Sequence, residues 1–175
     1  FASAFGIWGD DPKAPEAKRW IDLQVHKADR NDVDRMVLRN DSQEVVLVKE
    51  FEEIEVPPAA DDTTDVEAEP ATTADRTAWT WRPDGAGEFD KNTVDGILGT
   101  LCSIYASDVA DPANLADYGL GDDARTAELT FQDGTTRTIA FGAVSAADES
   151  RVYFRVDDGH PAEIFKNTAD RIFKG

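Results

Sequence analysis

Apolar residues recur at helical spacing in one stretch of this chain and alternate with polar residues through most of the rest. Between Phe89 and Leu120, the residues Val94, Ile97, Leu98, Leu101, Ile104 and Tyr105 fall three or four apart, which predicts an amphipathic helix over about 90–106 with one stripe facing a core. Asp90 fits the N-cap, and Phe89 and Val94 stand where a hydrophobic staple would close across it. Downstream of the corner Tyr118-Gly119-Leu120, the segments TAELTF, TRTIAFG, RVYFRV and AEIF follow in quick succession. Gln132-Asp133-Gly134-Thr135 and Asp157-Asp158-Gly159-His160 supply turn chemistry between them, so an antiparallel meander is expected. Within it, Ala127, Leu129 and Phe131 share one face, as do Ile139 and Phe141, and Val152, Phe154 and Val156; Arg151, Tyr153 and Arg155 lie on the other face of their strand. The closing NTADRIFKG reads as a short C-terminal helix.

Upstream, WIDLQV alternates as a short strand, and Val33 to Arg39 with Glu44 to Phe51 reads as a hairpin around Asn40-Asp41-Ser42. From Glu50 to Asp75 there are ten acidic residues, no basic one and three prolines. Such a segment buries too little to offset its ordering entropy, so a mobile acidic loop is expected at about 52–76. Order resumes at Trp79 and Trp81, which share a strand face. The expected architecture is α+β: hairpins and an antiparallel meander with the main helix packed on the sheet. Residues 1–18 form a lead-in or strap, and 19–175 one domain. A chain of 175 residues buries about 70% of its unfolded surface on folding, enough for a core without staples.

Composition narrows the function classes. With 36 acidic against 18 basic residues and a net charge of −18, the chain is a poor partner for nucleic acid or an anionic membrane surface, both of which need clustered Lys and Arg. The lone Cys102 has no partner for an internal disulfide, and no apolar run approaches the ~20 residues that span a bilayer.

Candidate chemistry is sparse. His26 and His160 are the only histidines, and phosphate-cradling, nucleophile-elbow and zinc-protease motifs do not occur. No cofactor and no catalytic residue is expected. Asp61, Asp62 and Asp65 are weak candidates for a calcium site, although the EF-hand spacing is missing. Trp79 and Trp81 could serve as a glycan platform, or simply fill a core. The contrasting surface is a basic and aromatic group on the meander, Arg137, Arg151, Tyr153 and Arg155, which suits a protein–protein contact. Three classes remain open: an interaction domain, a glycan- or calcium-binding module, and a carboxylate-based hydrolase.

The order of parts resembles a known family. Two-stranded hairpin, Trp79-Thr80-Trp81 strand, Asp90-capped helix, Tyr118-Gly119-Leu120 corner, Phe141-Gly142, Val152-Tyr153-Phe154-Arg155 and Glu163-Ile164-Phe165 together look like the bacterial extracytoplasmic family called domain of unknown function 4340, over roughly residues 32–173. Asp122-Asp123 stands where that family often has a proline after the corner, and the acidic loop before Trp79 is longer than usual. The resemblance implies an envelope-exposed, membrane-tethered domain that accompanies an ABC transporter-type assembly through a protein partner. It implies no catalytic residues.

Overall fold

The computed structural model describes residues 22–41, 43–56, 71–84 and 89–173. The expected lead-in at 1–18 lies outside these, as do Asp61, Asp62 and Asp65. In chain order the elements are β1 (Gln24–Lys27), β2 (Val33–Asn40), β3 (Gln43–Val56), β4 (Ala71–Pro83), α1 (Lys91–Leu101), β5 (Ser103–Tyr105), β6 (Asp108–Val109), β7 (Arg125–Phe131), β8 (Thr136–Val144), β9 (Arg151–Val156), β10 (Ala162–Phe165) and α2 (Lys166–Phe173). The fold is α+β. Eight strands form one antiparallel sheet in the order β4-β3-β2-β7-β8-β9-β10-β6, and β1 pairs with β5 in a separate ribbon.

Helix α1 forms for the reasons its spacing suggests. The Asp90 carboxylate accepts hydrogen bonds from the Asn92 and Thr93 backbone N–H groups, each at 3.3 Å, and from Thr93 Oγ1 at 2.6 Å. Val94, Ile97, Leu98 and Leu101 are buried. The helix stops at Leu101, five residues short of the expected end, because the pattern changes period there. Cys102, Ile104 and Ala106 are buried while Ser103 and Tyr105 are exposed, an alternation of two. That stretch is the strand β5, which joins β1 through Ala28 N–H to Cys102 C=O at 2.9 Å and Ala106 N–H to Leu23 C=O at 2.7 Å. Cys102 itself is buried, and burial pushes its thiol up to about 11. It should therefore react with thiol reagents far more slowly in the folded chain than in urea, and equal rates would contradict its placement.

The core lies on the helix-bearing face of the sheet. Leu129, Ile139, Phe141, Val152 and Phe154 pack with the α1 stripe and with Ala169 and Ile172 of α2. Phe141 stacks against Phe154 with ring centroids 6.3 Å apart and meets Phe173 edge-on at 5.4 Å. Trp81 belongs to this core at 3% exposure.

Across the sheet, a smaller cluster joins Tyr118, Leu120 and Tyr153. The two tyrosine rings stack at 4.0 Å, and Tyr118 OH donates to the Asp111 carbonyl at 3.0 Å. Gly119 turns the corner at φ 64°, ending the 3-10 segment Pro112–Tyr118 in the left-handed region that glycine tolerates. The corner rests on β8 so closely that a Cβ at Gly142 would stand 2.0 Å from the Tyr118 carbonyl oxygen.

The acidic segment is more ordered at its ends than its composition suggested. β3 continues to Val56 and β4 begins at Ala71, so both ends of the stretch expected as loop are strand; residues 57–70 lie outside the described residues. Cross-strand hydrogen bonding between β3 and β4 outweighs the poor strand preference of Glu.

Candidate functional site

Period-two alternation decides the fate of the basic group nominated on the meander. Arg151, Tyr153 and Arg155 share one face of β9, but Arg137 stands two residues before Ile139 on β8 and so shares the opposite face with Ile139 and Phe141. The four residues are thus divided between the two faces of the sheet. Tyr153 is 9% exposed beneath Tyr118, and the Nε of Arg155 is buried without a hydrogen-bond partner.

Arg151 is held by three carboxylates. Its Nε lies 3.0 Å from Asp148, and its Nη1 lies 3.4 Å from Asp108 and 3.2 Å from Glu163. Glu163 is 8% exposed and also accepts from the Ser145 hydroxyl at 2.6 Å, while that hydroxyl lies 3.4 Å from Tyr153 OH. This network ties β9 and β10 to the loop after β8, and replacing Arg151 leaves a carboxylate in a poorly solvated place. Arg151→Met should lower the urea midpoint, and adding Glu163→Gln should restore part of it. A double variant no better than the single would show that the pair is not coupled.

The tryptophans form a clamp. Trp79 and Trp81 meet edge to face at 5.9 Å, and Lys49 Nζ lies 4.0 Å from the Trp79 ring centre and 5.4 Å from that of Trp81. Trp79 Nε1 donates to Asn31 and Trp81 Nε1 to Asp95, each at 3.1 Å. Lys49, itself buried, donates to the Arg30 carbonyl. Both indoles are engaged within the fold through these contacts.

The concave site lies where the sequence offered least. Two clefts of about 980 and 570 Å³ meet at the end of the sheet where β1 crosses the β7–β8 and β9–β10 turns. His26, Lys27 and Arg137 line both, and His160 reaches the larger from the β9–β10 turn, so the fold brings both histidines to one hollow. Their spacing along the chain held no hint of this. His26 is 8% exposed, and its Nε2 is buried with no hydrogen-bond partner. Arg137 Nη1 donates to Asp157 Oδ2 at 2.7 Å, and Asp157 Oδ1 accepts from the Thr138 N–H at 2.8 Å. Asp157 makes this reach from a positive φ of 50°. Among the described residues no group of three or more His, Cys, Asp and Glu side chains gathers as a metal site.

Burial depresses the proton affinity of His26, Arg137 adds to the depression, and Asp157 opposes it. Because the folded-state value lies below the unfolded one, the unfolded chain binds the extra proton. This contribution to stability is complete above the ordinary histidine range and is lost as pH falls through about 6.5 toward the folded-state value. The denaturation midpoint of the native chain should drop between about pH 7.5 and pH 5, and the drop should be smaller in His26→Gln. Identical slopes in the two proteins would contradict the buried, neutral imidazole.

Comparison with known proteins adds the family. No curated protein and no solved structure matches the chain. A family profile described as Domain of unknown function (DUF4340) matches residues 79–174, starting at Trp79 rather than near Asp32. The matched span takes in Trp79 and Trp81, the Asp90-capped helix, the Tyr118 corner with Gly142 beneath it, and the whole meander. It covers more than half of the chain, and the protein belongs to the DUF4340 family.

Proposed function

We propose that this chain is a non-enzymatic interaction domain of the bacterial cell envelope, tethered on the extracytoplasmic side and accompanying an ABC transporter-type assembly. The envelope setting and the transporter partner rest on the family resemblance. The observation that supports an interaction role is the arm made by β3 and β4. β2 pairs with β3 only from Arg35↔Val48 to Asn40↔Gln43, whereas β3 and β4 stay paired from Leu47↔Pro83 to Val56↔Ala71. From Glu52 outward, therefore, the two strands run on as a ribbon paired to no third strand among the described residues.

A two-stranded ribbon is marginally stable alone in water, and its open edges are templates for strand addition by a partner. The sequence of the outward part of β3 carries Glu52, Glu53 and Glu55, which steers toward a basic surface and disfavours pairing with a second copy of the same arm. The family profile begins at residue 79, so the arm from Glu52 outward lies outside the matched region.

Affinity capture from solubilised envelope membranes tests the reading. The tagged native chain should retain a subunit of a transporter-type complex at low salt and release it at high salt. A variant with residues 53–74 replaced by a short glycine-serine turn should fold but fail to capture. Equal capture by the two would overturn the assignment of the arm.

A further inference from the structure

We infer that the His26 cleft binds a small organic acid, with its carboxylate taken up by Arg137 and Lys27 and its apolar body lying against Val25, Val109 and Val156. The larger hollow, about 980 Å³, is of the size that encloses a small ligand, and its walls combine apolar strand residues with a few polar groups. Ligand class follows from which polar groups are already engaged. Asp22 Oδ1 accepts from the Gln24 N–H at 2.9 Å, and both oxygens of Asp157 are used by Thr138 and Arg137. Asp22 keeps Oδ2 uncommitted among the described residues, and the other uncommitted side-chain groups named here are donors. Arg137 commits Nη1 to Asp157 and keeps its remaining N–H groups, while Lys27 is exposed and makes no ion pair among the described residues.

Both histidines of the chain face the same hollow, and His26 is more than nine-tenths buried with Nε2 unpartnered. The hollow sets Lys27 and Arg137 beside the carboxylates of Asp22 and Asp157, and with Asp157 already paired to Arg137 Nη1, the exposed Lys27 and the remaining N–H groups of Arg137 are where an anion would seat. A carboxylate seated there would make charge-assisted hydrogen bonds with the guanidinium and ammonium groups. Its charge would also offset the effect of Arg137 on the imidazole, so occupancy moves His26 back toward ordinary histidine behaviour. The site is at a different place from the β3–β4 arm and stands or falls independently of it.

With only two histidines, each imidazole Cε1 proton can be followed separately by NMR in the full chain. The probes are hexanoate, hexanol and inorganic phosphate, with Arg137→Gln and Lys27→Gln as variants. Hexanoate should bind saturably and raise the midpoint of the His26 titration, hexanol should leave it unmoved, and phosphate should bind about tenfold more weakly than hexanoate. Each variant should weaken hexanoate by about tenfold, and Lys27→Gln, at an exposed position, keeps the test valid if Arg137→Gln fails to fold. An unchanged His26 signal at saturating hexanoate would overturn the inference. So would phosphate binding as tightly as hexanoate, or hexanoate affinity unchanged in the folded variants.

Discussion

Replacing Gly142 with alanine is expected to destabilise the protein by about 3 kcal/mol or more, because overpacking here meets backbone rather than a movable side chain. In a chain of this size that corresponds to a fall in melting temperature of roughly 6–12 °C. The added Cβ would lie 2.0 Å from the Tyr118 carbonyl oxygen and 3.0 Å from Gly119 C and O, so either β8 or the corner must move. Movement of the corner shears the stack of Tyr118 on Tyr153 and the hydrogen bond from Tyr118 OH to Asp111. Gly96 supplies the control. It is exposed in the interior of α1, and a Cβ there meets nothing within 4 Å. Gly96→Ala should therefore stabilise, by up to about 1 kcal/mol, through helix propensity alone. Thermal melts of the two variants should move in opposite directions, and a harmless Gly142→Ala would mean that the corner does not sit on β8.

Leu101→Ala should cost about 2–5 kcal/mol, the range for removing most of a buried leucine side chain. Leu101 is fully buried at the point where α1 gives way to β5, in one cluster with Leu98, Ile104 and Phe154. A cavity there loosens the helix from the sheet and the β1–β5 ribbon from both. Lys91→Ala, at the exposed start of the same helix, should change stability by a few tenths of a kcal/mol. Urea denaturation measures both, and similar small effects would contradict the packing of α1.

What could be read from the sequence follows the range of the interaction involved. The cap at Asp90, the α1 stripe as far as Leu101, the turn at Asn40 and the alternation through β7 to β10 are local patterns, and they appear in the fold where they were expected. The end of α1 was also legible: Cys102, Ile104 and Ala106 alternate with Ser103 and Tyr105, but Ile104 and Tyr105 happen to continue the helical spacing as well. Arg137 was legible in the same way, since its two-residue offset from Ile139 already sets it apart from the face of Arg151 and Arg155.

Three features depend on long-range pairing and left no local mark. β2 pairs with β7, which joins the N-terminal hairpin to the meander, and the two-residue strand β6 caps the far edge on β10. The outer halves of β3 and β4 pair through residues whose composition reads as loop, because each strand satisfies the backbone of the other. The His26 cleft has the same origin. Its residues come from β1, β6, β8, the end of β9 and the β9–β10 turn, segments far apart in the chain that the fold brings together.

Site-specific photocrosslinking from the β3–β4 arm tests the proposed role most directly. A photoreactive residue at Glu52, exposed on the arm, should crosslink in the native envelope to a subunit of a transporter-type complex, and salt should reduce the yield. The same probe at Glu149, exposed in the loop between β8 and β9, should give little or none. Crosslinks to that complex from Glu149 and none from Glu52 would contradict the account.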